Sequence, residues 1–186
     1  MNRLLSLATL TFLLAACGSS TTSTTVACAN VYFDGTVGTC IPAGWHVVDR
    51  GQLDARGVPP EVLVAFQADA PVSGQFATVT VTREPLTKQM TAEEYSNASM
   101  QSVQAMPGYA KVNTEQITVD GQKVTMHTFT AQPQADQPKT RFTQVSIVSG
   151  SAGYSYTGAT PVTVDDAVTA QVQLIVKNAT LQAAKQ

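Results

Sequence analysis

Histidine and charged side chains are scarce in this chain of 186 residues, which contains two histidines and 13% charged residues. Its 11 lysines and arginines, set against 13 acidic residues, form no basic cluster, which argues against nucleic acid and anionic lipid headgroups as electrostatic partners. His46 and His127 do not have the spacing of metal ligands, and no G-x-S-x-G or S-x-x-K motif provides an activated serine. These deficits predict a protein that is not an enzyme, holds no cofactor or metal, and does not bind nucleic acid.

One short apolar run opens the chain. Leu4–Leu14 follows the basic Arg3 and leads through Ala15 and Ala16 to Cys17. The run is too short to span a bilayer and is typical of a signal peptide. It resembles the signal of a bacterial lipoprotein, which implies removal of residues 1–16 and acylation of Cys17. The alternative is an ordinary secretory signal in which Cys17 is incidental.

Residues 17–25 follow this cleavage site with an uncharged Gly-Ser-Thr segment. Such a segment has almost nothing to bury, so it is predicted to be a flexible tether between the acylated cysteine and a folded domain. Gly18 and Ser19 resemble signals for sorting to the outer membrane in a cell with two membranes. We therefore predict a lipid-anchored, extracytoplasmic protein of the bacterial cell envelope.

The remaining cysteines, Cys28 and Cys40, are two in number, as one disulfide in an oxidising compartment requires. An Asp34-Gly35 turn signal lies between them, which predicts a hairpin that places residue 28 directly opposite residue 40. A reduced or redox-active pair is the alternative, although redox motifs usually hold the cysteines closer together.

Residues 26–182 contain no internal repeat and no long linker, and are predicted to form a single domain followed by a tail at 183–186. Asp120-Gly121 predicts a tight hairpin turn, and Ser149–Gly153 predicts a looser one. Nine stretches are predicted to be strands: Val26–Phe33, Thr36–Ile41, Trp45–Asp49, Glu61–Gln67, Phe76–Arg83, Ala110–Val119, Gln122–Ala131, Thr140–Val148 and Tyr154–Thr160.

Two helices are predicted among these strands. Thr91 and Glu94 form a capping box that starts a helix running through Met106. A second helix begins near Thr163, and the paired acids at its start suit the positive end of the helix dipole. Its apolar side chains share one face: Val168, Val172, Ile175, Val176 and Ala179. Mostly antiparallel strands with two one-sided helices predict an α+β sandwich.

The order of several short motifs along residues 40–182 resembles the PsbP-like fold family, which includes an extrinsic photosystem II protein and bacterial DcrB- and LpqN-type lipoproteins. The motifs are Pro42-x-Gly44-Trp45, Thr91-x-x-Glu94-Tyr95, Val119-Asp120-Gly121, Arg141-Phe142-x-Gln144 and Gly153-Tyr154-x-Tyr156-Thr157. The resemblance implies a mostly antiparallel sheet flanked by two helices. It also implies a mostly non-catalytic role, either in docking onto larger assemblies or in the envelope. No metal-binding residue of the family matches a motif here.

Candidate interaction sites lie in two irregular segments, Gln52–Pro60 and Gln132–Pro138, because loops on a rigid scaffold often carry recognition. Plain connectors are the alternative. The candidate residues are Gln52, Asp54, Arg56, Gln132, Gln134 and Asp136. Trp45 is predicted to pack in the core rather than to line a ligand groove, and for Tyr154 and Tyr156 both interpretations stay open.

Together these observations predict a non-enzymatic, membrane-anchored envelope lipoprotein that acts as an accessory or docking module for a protein partner. The alternative is a carrier that binds a small or lipidic ligand in a pocket between the sheet and its helices.

Overall fold

The computed structural model of the chain describes residues 26–134 and 136–183. The predicted signal peptide, Cys17 and the tether lie outside these residues, as does most of the predicted tail. The elements in order are β1 (Asn30–Phe33), β2 (Gly38–Ile41), β3 (Trp45–Val48), α1 (Arg50–Ala55), β4 (Val62–Ala68), β5 (Thr78–Pro85), α2 (Ala92–Gln104), β6 (Ala110–Val119), β7 (Gln122–Ala131), β8 (Thr140–Ser149), β9 (Ala152–Pro161) and α3 (Asp166–Lys177).

Seven strands form one sheet in the order β3-β4-β5-β9-β8-β7-β6, and β1 pairs with β2 in a separate hairpin. Every strand pairing among the described residues is antiparallel, so the predicted α+β architecture is confirmed. The predicted tight turn between β6 and β7 is also confirmed. Asp120 and Gly121 have φ values of 49° and 81°, the left-handed backbone that two-residue hairpin turns require.

Helix α3 packs on one face of the sheet together with β2 of the hairpin. Its residues Val172, Ile175 and Val176 are buried in the main apolar core, as their helical spacing predicts. A Cβ at Gly158 of β9 would overlap Cγ1 of Val172, so the missing side chain lets this helix lie close to the sheet.

Helices α1 and α2 cover the opposite face. Gly153 and Gly158 lie five residues apart on β9, and alternation along a strand places them on opposite faces. A Cβ at Gly153 would overlap the ring of Tyr95 in α2. On the same face, Leu53 of α1 packs in a small cluster with Ala65 of β4. The molecule therefore has a helix–sheet–helix arrangement of layers.

The aromatic residues of β3 and β9 lie inside the core on the α3 side. Trp45 is buried, and its Nε1 donates a hydrogen bond to Oε1 of Gln171 at 2.9 Å. Tyr154 and Tyr156 are buried in the same core. The core interpretation of Trp45 is thus confirmed, and the two tyrosines do not form an exposed strip.

The hairpin of β1 and β2 differs from the prediction in its register. The Asp34 carboxylate accepts hydrogen bonds from the backbone N–H groups of Thr36 and Val37, both at 2.8 Å, which lengthens the turn. Cys40 consequently lies opposite Val31 rather than opposite residue 28. The structure nevertheless contains a disulfide between Cys28 and Cys40, whose Cα atoms are 5.5 Å apart.

Five further expectations about secondary structure were wrong. The first strand begins at Asn30 instead of Val26, and α2 ends at Gln104 instead of Met106. The described chain contains three helices instead of two, because α1 occupies part of the predicted irregular segment 52–60. Helix α3 begins at Asp166, later than predicted. The loop between β8 and β9 is a tight turn of Gly150 and Ser151, since Ser149 pairs with Ala152.

Candidate binding surfaces

The first predicted interaction segment is built around α1. Gln52 and Asp49 form a reciprocal capping box, with Gln52 N donating to Asp49 Oδ1 at 2.9 Å and Asp49 N donating to Gln52 Oε1 at 3.0 Å. Asp54 forms an ion pair with Arg50 at 2.7 Å. Arg56 is exposed at the end of the helix. Two of the three candidate residues therefore stabilise the segment itself.

The Arg50 guanidinium also holds the chain that follows α1. It donates hydrogen bonds to the carbonyl oxygens of Val58 at 2.7 Å, Pro59 at 3.0 Å, and Val62. One side chain thus bonds three carbonyl groups and an acid of this segment. This arrangement explains how a sequence rich in glycine and proline keeps a defined shape.

The second predicted segment connects β7 to β8. Gln132 donates its backbone N–H to the carbonyl of Pro107 at 2.8 Å and its side-chain Nε2 to the carbonyl of Gln137 at 3.1 Å. The N–H of Gln137 also donates to the carbonyl of Gln134 at 3.1 Å, and the Asp136 side chain is exposed. The loop is therefore closed by its own glutamines and displays Gln134 and Asp136 to solvent.

The structure does not bring the two predicted segments together. Helix α1 follows the end of β3 and precedes the start of β4. Phe142, Ala159, Thr78 and Gln67 are aligned across four neighbouring strands, so the loop before β8 lies near the end of β4 instead. The two segments consequently occupy opposite ends of the sheet.

A cavity of about 320 Å³ opens beside the second segment. Phe76, which precedes β5, contributes to its wall and is 44% exposed. None of the described lining residues is charged, and half of them carry aromatic or proline rings. These rings belong to Phe76, Phe142, Pro133, Pro138 and Pro161, and the polar side chains of Gln75, Gln137, Thr140 and Thr160 lie among them.

A chain of hydrogen-bonded polar side chains lies beneath α2. The hydroxyl of Tyr95 is 3.4 Å from Ser155 Oγ, which is 3.1 Å from Ser146 Oγ. Gln144 Nε2 donates to Ser146 Oγ at 3.4 Å and to Ser99 Oγ at 2.7 Å. Burial raises the pKa of the Tyr95 hydroxyl, which remains a neutral member of the chain at physiological pH.

His127 of β7 adjoins this chain and is half-buried. Its Nε2 is 3.1 Å from Ser96 Oγ of α2. Burial lowers the pKa of His127, and the positive charge of Lys111 on β6 lowers it further. The imidazole is therefore neutral at physiological pH and connects the sheet to the helix.

The other histidine lies at an edge strand. His46 Nδ1 is 2.6 Å from Asp69 Oδ1, and both side chains are about half exposed. The sequence offered no neighbouring partner for either histidine, because Asp69 and Ser96 are distant along the chain. The sequence does contain one sign of this polar contact. Ser96 and Ser99 are three residues apart on a predicted helix, a spacing that predicts a polar face.

Two kinds of feature are absent from residues 26–134 and 136–183. No group of three or more His, Cys, Asp or Glu side chains in these ranges is placed to hold a metal ion. No helix there is long and apolar enough to cross a bilayer.

The fold is similar to those of several solved structures, including the following two. One is the solution structure of cyanobacterial PsbP (CyanoP) from Synechocystis sp. PCC 6803, with a TM-score of 0.56 and 16% identity over 91% of this chain and 99% of that chain. The other is the crystal structure of LpqN, involved in cell envelope biogenesis of Mycobacterium tuberculosis, with a TM-score of 0.55 and 10% identity over 77% of this chain and 82% of that chain. No family model and no curated protein sequence matches the chain. The chain has the PsbP-like fold.

Proposed function

We propose that this chain is a membrane-anchored, non-enzymatic envelope lipoprotein that docks onto a protein partner. The observation that carries the proposal is the uncharged aromatic and proline cavity beside the loop 132–138. Phe76 is 44% exposed at its rim, next to the rings of Phe142 and three prolines, and a contiguous group of apolar rings is a surface that a partner can bury.

The chemistry of the cavity defines the partner. Half of its described lining residues carry apolar rings, and its polar groups belong to Gln75, Gln137, Thr140 and Thr160. An apolar side chain on an extended segment of the partner fits these walls, and the backbone of that segment can bond the amides. The absence of charge among the described lining residues disfavours a strongly charged partner segment.

The location in the envelope is supported by two observations. Cys17 lies at the end of a signal that resembles those of lipoproteins. LpqN, which shares the fold, is a protein of cell envelope biogenesis. Acylation of Cys17 would keep the domain at a membrane surface, where a partner is met by lateral diffusion.

In-cell photo-crosslinking of the full-length protein tests the docking role. A photoreactive phenylalanine analogue at position 76 should give one dominant adduct with a protein of the envelope. The same analogue at Val112, an apolar side chain of β6 that is 53% exposed and does not line this cavity, is the matched control. We expect the adduct at position 76 and its absence at position 112.

A Cys17→Ser variant with the analogue at position 76 tests the anchor separately. We expect it to lose both membrane attachment and the adduct. Equal adducts at positions 76 and 112, or none at either, would contradict docking through this cavity. Retention of the Cys17→Ser variant in the membrane fraction would contradict the lipid anchor.

A further inference from the structure

A second cleft, of about 370 Å³, lies between α2 and strands β6 and β7. Its wall on the helix carries the side chains of Asn97, Gln101 and Gln104, which fall on one face at a spacing of four and three residues. Each carboxamide both donates and accepts hydrogen bonds, so a row of them suits a ligand with hydroxyl groups. The volume is that of a site for a small molecule.

A β-bulge in β6 places Lys111 on the strand face that lines this cleft. Directly paired residues of antiparallel strands share a face, and Lys111 and Thr114 pair with Phe129 and His127 respectively. Phe129 packs in the cluster around Met100 of α2, so all of these side chains lie on the α2 face. In a regular strand, residues 111 and 114 would lie on opposite faces. The extra residue in the bulge between Lys111 and Asn113 brings both side chains to the same face.

The charges in the cleft are unbalanced. Lys111 and His127 both line it, and no acidic side chain is among the described residues that do. Lys111 is close enough to His127 to disfavour the protonated imidazole. A single negative charge placed between them would pair with the ammonium group and reverse this effect on the histidine.

We propose that the cleft between α2 and the β6 bulge binds a small hydroxylated monocarboxylate. The Lys111 ammonium is the counter-ion of its carboxylate. His127, whose Nε2 is occupied by Ser96, contacts the ligand through Nδ1. The carboxamides of α2 bond the hydroxyl groups, while Met100 and Tyr109 form the apolar part of the wall. A monoanion is favoured over a phosphate dianion because one lysine provides the charge.

The sequence left open a carrier function for a small ligand bound between the sheet and its helices. This cleft is a specific location for such a ligand, and its side chains specify the ligand's chemistry. It is independent of the docking cavity, since the two share no lining residue. Crosslinking at position 76 and ligand binding in this cleft can therefore succeed or fail separately.

The test is an NMR titration of the full-length protein with glucuronate, and with glucose as a neutral control of the same ring size. The chain has two histidines, so the ring signals of His127 can be followed with His46 as an internal reference. We expect glucuronate to bind with a dissociation constant of about 1 mM. Binding should shift the His127 signals and raise its pKa, while His46 stays unchanged.

Two lysine variants complete the experiment. Lys111→Gln should weaken glucuronate binding about tenfold, because it removes the charge-assisted hydrogen bond to the carboxylate. Lys123→Gln, an exposed lysine on the strand that carries His127, should bind as the unchanged protein does. The proposal is overturned by an equal response to glucose, by no response of His127, or by equal weakening in both lysine variants.

Discussion

Helix α3 covers one face of the sheet with Val172, Ile175 and Val176, whereas α2 covers the other with Tyr95, Ser96 and Met100. The residues beneath them differ in the same way. Apolar core side chains lie under α3, and Gln144 and other polar side chains lie under α2. Two helices of similar length are thus held by different interactions.

The difference has a physical consequence. Apolar burial is non-directional, so the α3 face tolerates small movements and its stabilisation grows with buried area. A buried hydrogen-bond chain stabilises little on balance and loses more when one member is left without a partner. We therefore expect α3 to carry global stability, and α2 to be held in one position at a smaller net gain.

The largest effect is expected from truncation under α3. Ile175, which is fully buried, should lose about 3–4 kcal/mol of unfolding free energy when changed to Ala. Met100 of α2, buried in a smaller cluster, should lose only about 2 kcal/mol on the same change. Urea unfolding of both variants measures the two values, and equal losses would remove the contrast between the faces.

Substitution of either glycine of β9 by alanine tests the same contrast, because it adds a methyl group beneath one of the two helices. Gly153→Ala should cost about 2–3 kcal/mol, because the new Cβ would overlap three atoms of the buried Tyr95 ring, which the hydrogen bond to Ser155 holds in place. Gly158→Ala should cost less, about 1–2 kcal/mol, because the new Cβ overlaps a single methyl group of Val172 on the face held by non-directional apolar contacts. Thermal unfolding gives both costs, and the double variant Gly158→Ala/Val172→Ala should recover part of the cost at Gly158. A larger cost at Gly158 would mean that α3 is the more rigidly held helix.

A double-mutant cycle addresses the hydrogen-bond chain directly. Gln144→Leu should cost about 1–3 kcal/mol, since it leaves buried hydroxyl groups without this partner. Combined with Ser99→Ala, it should cost about 1 kcal/mol less than the sum of the single changes. Chemical unfolding of the four proteins gives the coupling, and strict additivity would show that the 2.7 Å bond contributes nothing.

The smallest effect concerns pH. The pKa of His127 is lowered below its usual 6.5, so on acidification the unfolded chain binds a proton before the folded chain does. Stability should therefore fall as the pH drops below about 6.5 and level off below the folded pKa. His127→Gln should flatten the dependence of Tm on pH between about 5 and 8, whereas His46→Gln should not remove the His127 contribution. An identical pH profile for His127→Gln and the unchanged protein would falsify this assignment.

Local signals predicted much of the fold. The Thr91–Glu94 capping box, with Glu94 N donating to Thr91 Oγ1 at 3.2 Å, starts α2 as expected. The Asp120-Gly121 turn and the apolar stripe of α3 also follow from neighbouring residues. Helix α1 was missed because Gly51 and Gly57 suggested a loop, although Asp49 and Gln52 have the spacing of a capping box.

The candidate sites were harder to predict from the sequence than the fold was. The sequence suggested the loop 132–138 as an interaction site, which stays a prediction; Pro133, Gln137 and Pro138 of this loop line a cavity, whereas the named candidates Gln132, Gln134 and Asp136 do not. Its partner across the cavity, Phe76, is separated from it by three intervening strands and a helix along the chain. No sequence periodicity relates residues at such separations.

Composition and local pattern set the chemistry available to this protein: two histidines, few charges, apolar stripes and turn residues. These features act over a few residues, so periodicity and turn chemistry reveal them. The tertiary structure alone decided that Lys111 and His127 line the same cleft and that Ser96 bonds the histidine. A one-residue bulge reverses the face on which a side chain lies, and strand register is decided by packing across the whole sheet.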